Sequence, residues 1–161
     1  MNDYTTIEFK KKYKDLNDTL FWLCRQAKES IDYCSFRWGS NNTIDTIWTI
    51  GKQNLIYKND KKGIEQIQSV GTLMENNIHS IQGAGDCDCF TVFTIAMLLA
   101  NNYKKENIYI YLQGRNKKSP SHVLTMFTKN NKNIYIDFTE PHLNMKRSYK
   151  YFDIVPISLY L

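Results

Sequence analysis

Residues 85–100 read GDCDCFTVFTIAMLLA, and this stretch decides the fold. From Phe90 onward almost every side chain is apolar, so a helix built from this segment has no polar face. Helices that are apolar on every side are normally buried inside their domain. We therefore predict a central, buried helix over residues 87–100, which begins directly after Asp86.

The thiol of Cys87 lies at the N-terminus of this helix, which is the positive end of the helix dipole. Cys87 lies where the helix dipole favours a thiolate, and the unpaired N–H groups of the first turn can stabilise an oxyanion. The upstream glycines Gly83 and Gly85 leave its sulfur uncovered. Asp86 and Asp88 are expected to cap the helix N–H groups, and their charges would raise the pKa of a thiol that they face. A buried structural thiol is the alternative interpretation of Cys87.

The sequence after the helix alternates between apolar and polar residues, which indicates β-strands. Asn130 and Asn131 suit a two-residue hairpin turn, because asparagine tolerates the left-handed backbone conformation. The predicted strands are residues 108–112, 123–127 and 134–136, with a last strand around 149–155.

The predicted hairpin places a histidine beside an aspartate. If the two asparagines form the turn, Lys129 faces Lys132, and His122 and Asp137 then share one face of the sheet. They become diagonal neighbours, roughly 7–8 Å apart at Cα and within side-chain reach. A nucleophilic cysteine needs a base and the base needs an orienting partner, so the residues predict a triad of Cys87, His122 and Asp137. A register slip of one residue would undo it.

The N-terminal half is predicted to be mostly helical. Helical spacing covers most of residues 7–34, Thr43 caps a second helix, and one or two further turns occupy residues 64–77. The expected fold class is α+β, with N-terminal helices and the buried helix packed on an antiparallel β-sheet. A chain of 161 residues is expected to form a single domain over residues 1–161, with residues 1–43 as a helical N-terminal extension.

Composition and charge exclude several classes of protein. The net charge is +5, and the lysines occur in scattered pairs, so no nucleic-acid partner is expected. No run of about 18 apolar residues is present, which predicts no membrane span, and the N-terminus shows no secretory signal. Without such a signal, the four cysteines are expected to be thiols.

No metal or cofactor is expected. The spacing of Cys87 and Cys89 lacks the paired motifs of zinc sites. His79 and His142 lie in polar segments and are interpreted as surface residues. Gln82, five residues before Cys87, is either an oxyanion-hole donor of the papain-like kind or a simple loop residue. Tyr109 and Tyr111 are expected to pack in the sheet, and not to form a base-stacking platform.

Three motifs together resemble the transglutaminase-like cysteine peptidase superfamily, above all its short bacteriophage and bacterial members. The motifs are Gly85-Asp86-Cys87-Asp88, Ser121-His122-Val123 and Tyr135-Ile136-Asp137-Phe138-Thr139. The lead-in at residues 56–60 and 65–68 is similar as well. The sequence departs from the family pattern in two places: Cys89 stands where a second aspartate is frequent, and Phe138 where proline is frequent.

The resemblance implies a papain-like fold with Cys87 as nucleophile, His122 as base and Asp137 as orienting residue. It implies a cysteine-dependent hydrolase or acyl transferase that acts on peptide or protein amides through a thioester. It also implies a phage-encoded protein in the bacterial host cytoplasm or the virion, with phage structural proteins as partners. The alternative is a papain-like domain retained without catalysis, as a structural or interaction module of a phage particle, since a fold does not prove a function.

Overall fold

A computed structural model describes residues 6–10, 16–62, 64–75, 82–116 and 120–161 of the protein. These residues form five α-helices and eight strands, which confirms the α+β class. None of the described helices is long and apolar enough to cross a membrane. The helices are α1 (Leu16–Glu29), α2 (Ile31–Trp38), α3 (Ile44–Asn54), α4 (Val70–Glu75) and α5 (Cys87–Ala100). The strands are β1 (Thr6–Lys10), β2 (Leu55–Tyr57), β3 (Ile64–Gln68), β4 (Gly83–Gly85), β5 (Ile108–Gly114), β6 (His122–Lys129), β7 (Lys132–Ile136) and β8 (Tyr151–Pro156).

Helix α5 has the predicted bounds and lies at the centre of the molecule. From its second residue onward only Leu99 is not fully buried. Helices α1, α2 and α3 cover it on one side, and strand β6 packs against it on the other. Asp86 is the N-cap, and its side chain accepts a hydrogen bond of 3.2 Å from the backbone N–H of Asp88. The predicted capping role of Asp86 is therefore confirmed.

The main sheet has four antiparallel strands in the order β7-β6-β5-β8. Asn130 and Asn131 both have positive φ, 51° and 59°, as a type I′ hairpin turn requires. Lys129 pairs with Lys132, so the predicted register of the hairpin is confirmed. One face of the sheet joins the core around α5. The outer face carries a separate apolar cluster with Tyr111, Leu124 and Met126 at its centre and Tyr109 and Tyr135 at its border.

The N-terminal region contains strands where helix was predicted. Residues 6–10 form β1, which pairs antiparallel with β3, so the helical assignments of residues 7–10 and 64–68 were wrong. These segments are short and lie far apart in sequence, so their pairing has no local signal in either of them. Residues 83–85, two glycines around an alanine, have no strand signal of their own, yet they form β4, which pairs parallel with β2.

An aromatic cluster joins the end of β7 to the helices. Phe138 stacks on Trp48 of α3 with ring centroids 5.1 Å apart, and its edge contacts Phe93 of α5 at 5.6 Å. A Cβ at Gly51 would lie 2.1 Å from the Phe138 ring, so the glycine in α3 makes room for this side chain. The predicted N-cap of the same helix is confirmed, because Thr43 Oγ1 accepts from the backbone N–H of Thr46.

Candidate active site

Strands β6 and β7 bring His122 and Asp137 into direct contact. His122 is the first residue of β6, and Asp137 directly follows β7. The Nε2 atom of His122 lies 2.6 Å from Oδ2 of Asp137, and the two residues are only 5% and 4% exposed. The hairpin register alone placed them as diagonal neighbours, and in the structure the two side chains meet in a buried hydrogen bond.

The second oxygen of the Asp137 carboxylate is also occupied. Oδ1 accepts a hydrogen bond from the backbone N–H of Thr139 at 3.0 Å and another from its hydroxyl at 2.6 Å. Burial raises the pKa of Asp137, but the hydrogen bond and charge of His122 and the two Thr139 donors outweigh it, so the net pKa lies below the ordinary value. Asp137 is thus an ionised carboxylate that binds the imidazole and caps the following loop at once.

The residues after β7 surround this pair. The Tyr149 ring stacks on the His122 ring, with centroids 6.5 Å apart and planes 25° apart. Arg147 donates from its guanidinium to Thr139 Oγ1 at 3.1 Å and to Glu140 Oε1 at 3.3 Å. Sequence reasoning missed the contacts of Arg147 and Tyr149. Residue 149 was predicted to begin the last strand, but β8 begins at Tyr151, and the segment before it has no periodicity that would place it over the histidine.

Cys87 is half-buried at the first position of α5. Burial raises the pKa of its thiol, and the charges of Asp88 and Asp86 raise it further. A hydrogen bond from the backbone N–H of Val123 acts in the opposite direction by stabilising the thiolate. The sulfur therefore lies against the residue that directly follows His122 in β6, and it is protonated at neutral pH.

Four carboxyl groups cluster beside the cysteine. Oxygens of Asp60, Glu65 and Asp86 lie within 4.8 Å of one another, and Asp88 hydrogen-bonds Glu65. Burial, together with the charges of Asp60 and Glu65, raises the pKa of Asp86 to about 7. Carboxylates at this spacing can either hold a divalent cation or share protons, and the Asp88–Glu65 hydrogen bond requires one proton. The sequence showed Asp86 and Asp88, but it did not show that Asp60 and Glu65 join them.

The structure also places the remaining candidate residues. The Gln82 side chain donates from Nε2 to the carbonyl oxygen of Gln53 at 3.0 Å, and its role in an oxyanion hole stays a prediction. His142 is exposed, as expected, and His79 lies outside the described residues. Tyr57, which sequence reasoning missed, lies close enough to Cys87 that a thiolate there would raise the pKa of its phenol, second to the effect of burial.

A helix that begins with a half-buried cysteine and packs on an antiparallel sheet bearing a His–Asp pair defines the papain-like class of α+β domains. Comparison with known families gives the family within that class. The family model described as a transglutaminase-like domain matches residues 3–155, and the chain belongs to this family. The family resemblance of the three motifs is thereby confirmed. No curated protein matches the chain.

Proposed function

We propose that the protein is a cysteine-dependent hydrolase or acyl transferase, with Cys87 as nucleophile, His122 as general base and Asp137 as orienting residue. The observation that carries the proposal is the buried hydrogen bond between His122 and Asp137. Beside it, the Cys87 sulfur contacts the backbone of Val123, the next residue along β6. These two contacts support the proposal, because acyl transfer by a cysteine requires a base and an orienting carboxylate near the nucleophile.

The tautomer of His122 follows from its partner. Because Nε2 donates to the Asp137 carboxylate, Nδ1 is the nitrogen that can accept a proton. The raised pKa of Cys87 means that the thiol keeps its proton at rest. His122 would therefore take this proton as the sulfur attacks, instead of standing in a preformed ion pair.

The reaction then follows the usual course of covalent catalysis. The sulfur bonds to the carbonyl carbon of an amide, the C–N bond breaks, and the imidazolium returns its proton to the leaving amine. Attack of water on the resulting thioester completes hydrolysis, and attack of an amine completes acyl transfer. Peptide or protein amides are the substrates that we propose, and the phage origin, phage structural partners and host or virion location implied by the resemblance stay predictions.

A second function has one observation in its favour. Burial and the charges of Asp88 and Asp86 raise the pKa of Cys87, and a neutral thiol suits a domain retained as a structural or interaction module. This alternative differs from the first in one measurable property, the acylation of Cys87.

The decisive experiment uses p-nitrophenyl acetate, which would release p-nitrophenol and leave a thioester on the attacking cysteine. We expect acetylation of Cys87 to be roughly 100-fold faster than that of Cys24, which is fully buried in α1 and serves as an internal reference, when both are followed by peptide mass spectrometry. Burial raises the pKa of both thiols, for Cys24 to about 12, so the expected difference in rate comes from access to the sulfur and from the proposed base His122.

Two variants complete this test. Cys87→Ala should abolish the thioester, and His122→Ala should slow its formation by roughly 100-fold while the circular dichroism spectrum stays native. Equal acetylation of Cys87 and Cys24, or an unchanged rate in folded His122→Ala protein, would refute the catalytic proposal and favour the module.

A further inference from the structure

An irregular segment crosses the outer face of the main sheet above the His–Asp pair. This covering segment, residues 143–150, forms neither helix nor strand, yet it is anchored at several points. Asn144 exchanges two hydrogen bonds with the backbone of Tyr135 in β7, at 2.9 and 3.1 Å. The ammonium of Lys146 lies 5.7 and 5.4 Å from the ring centroids of Tyr111 and Tyr135. These contacts therefore define the path of the covering segment across the sheet.

A buried glutamine holds the middle of the covering segment. Gln113 in β5 pairs directly with His122 in β6 and is only 2% exposed. Its Nε2 donates to the carbonyl oxygen of Arg147 at 2.6 Å, whereas its Oε1 has no partner within the described part of the chain. The hydrogen bond to the carbonyl oxygen of Arg147 therefore fixes the orientation of the Gln113 amide. The same bond holds the backbone of Arg147 beside the His–Asp pair.

The Arg147 side chain reaches the pair through Thr139. The Thr139 hydroxyl donates its proton to Asp137 Oδ1 and accepts a hydrogen bond from the Arg147 guanidinium at 3.1 Å. Glu140 accepts from the same guanidinium at 3.3 Å and so fixes its orientation. A continuous chain of hydrogen bonds then runs from Arg147 through Thr139 and Asp137 to His122, and each bond polarises the next.

We propose that Arg147 is a positioning residue, which holds the Thr139 hydroxyl in the orientation that keeps the Asp137 carboxylate aligned with His122. The proposal rests on the proposed function for its catalytic consequence. An accepted hydrogen bond from Arg147 leaves the hydroxyl proton of Thr139 directed at Asp137. Without the guanidinium, the Thr139 hydroxyl is free to rotate, and Oδ1 of Asp137 loses one of its two donors.

The first test measures hydrogen exchange of the His122 Nε2 proton by NMR. Arg147→Ala should speed this exchange about threefold to tenfold, because the partner carboxylate is held less firmly. Arg25→Ala is the matched control: Arg25 is an exposed arginine that pairs with Glu29 at 3.1 Å in α1, and its removal should leave the exchange rate unchanged. This measurement needs no turnover, so it can fail or succeed independently of the proposed function.

Two more variants separate geometry from charge and from simple destabilisation. Arg147→Lys keeps the charge but loses the planar fork, so it should exchange at nearly the rate of Arg147→Ala. In a Thr139→Val background Arg147→Ala should change the rate less than twofold, because the connecting hydroxyl is gone. If the protein is an enzyme, Arg147→Ala should lower kcat with little change in KM.

Three results would overturn the proposal. They are an unchanged exchange rate in Arg147→Ala, full restoration by lysine, and an effect of the same size with and without the Thr139 hydroxyl. Loss of acylation in Cys87→Ala together with unchanged exchange in Arg147→Ala would reject the positioning role and leave the triad intact.

Discussion

The two halves of the candidate site, the start of α5 and the ends of β6 and β7, have opposite electrostatics. At the helix, burial and the charges of Asp88 and Asp86 raise the pKa of Cys87. At the sheet, hydrogen bonds from His122 and Thr139 hold the pKa of Asp137 below its ordinary value in spite of burial. The environment at the helix thus favours the neutral thiol of Cys87, whereas the environment at the sheet favours the ionised carboxylate of Asp137.

The difference comes from what each half faces. The start of α5 faces two further carboxyl groups: Asp60, from the connection between β2 and β3, and Glu65, from β3 itself. The Asp137 carboxylate at the end of β7 accepts hydrogen bonds from Thr139 and from the imidazole. The helix dipole therefore does not by itself lower the pKa of the Cys87 thiol, because burial and the neighbouring carboxylates oppose it.

The largest effect on reactivity is expected from Asp137→Asn, which breaks the His–Asp pair at the ends of β6 and β7. The amide of asparagine would present a donor to His122 Nε2–H and so favour the wrong tautomer. Acetylation of Cys87 by p-nitrophenyl acetate should fall roughly 10³–10⁴-fold, measured by stopped-flow absorbance. Near neutral pH the free energy of unfolding should change by at most ~1 kcal/mol, because the amide oxygen can still accept from Thr139.

The lowered pKa of Asp137 sets the pH range of this stability effect. A carboxylate with a lowered pKa stabilises the fold above the unfolded pKa near 4, and this contribution disappears as the pH falls through the folded value. The variant should therefore lose less stability than the wild type between pH 5 and pH 2, as a range of melting curves would show. An asparagine variant that acetylates at the wild-type rate would reduce the site to a Cys–His pair.

The second effect concerns Phe138, whose side chain connects the end of β7 to helices α3 and α5. Phe138 follows Asp137 and packs on Trp48 of α3 and Phe93 of α5, so Phe138→Ala should lower the free energy of unfolding by about 3–5 kcal/mol. Phe36→Ala is the matched control, because Phe36 is 89% exposed and its loss should change stability by less than ~0.5 kcal/mol. Urea unfolding of both variants measures the difference in the free energy of unfolding. Equal losses in the two variants would show that the Phe138 ring does not stabilise the contact between β7 and the helices.

The smallest effect is expected at the start of α5, where the carboxyl groups cluster. The pKa of Asp86 is raised from 3.8 to about 7, so folding takes up a proton between these values, and the free energy of unfolding falls as the pH rises through this range. Asp86→Asn keeps the N-cap and removes the charge, so it should stabilise the protein by about 1–2 kcal/mol at pH 8 and by little at pH 4.

The same variant should also lower the pKa of Cys87, because one of the charges that raise it is gone. Melting temperatures at the two pH values test the first expectation, and the pH dependence of iodoacetamide labelling tests the second. Asp18→Asn, at an exposed aspartate of α1, is the control. A gain in stability that is equal at pH 4 and pH 8 would contradict the raised pKa.

Local patterns predicted the central features of the fold well. The bounds of α5 followed from an unbroken apolar segment, and the register of β6 and β7 followed from two asparagines that accept positive φ. Because side chains alternate along a strand, that register was enough to place His122 beside Asp137. The other strand predictions were right to within a few residues for the same reason.

Pairing between distant segments was not predictable in this way. Strand β1, at residues 6–10, pairs with residues 64–68, and β4 pairs with β2. The local sequence of β1 favours a helix and that of β4 favours a loop, so neither strand can be predicted without its partner. A glycine inside a helix such as α3 lowers its intrinsic stability, and only the position of the Phe138 ring explains why Gly51 stands there.

The sequence by itself determined the α+β class, the buried helix, and the neighbouring positions of His122 and Asp137, since periodicity and turn chemistry act over a few residues. Only the tertiary structure decided the charges around them. It brings Asp60 and Glu65 to the cysteine end of α5 and Arg147 to the Thr139 hydroxyl. The physical reason is that a pKa depends on distances through space and on burial, and chain folding sets both between residues that are remote in sequence.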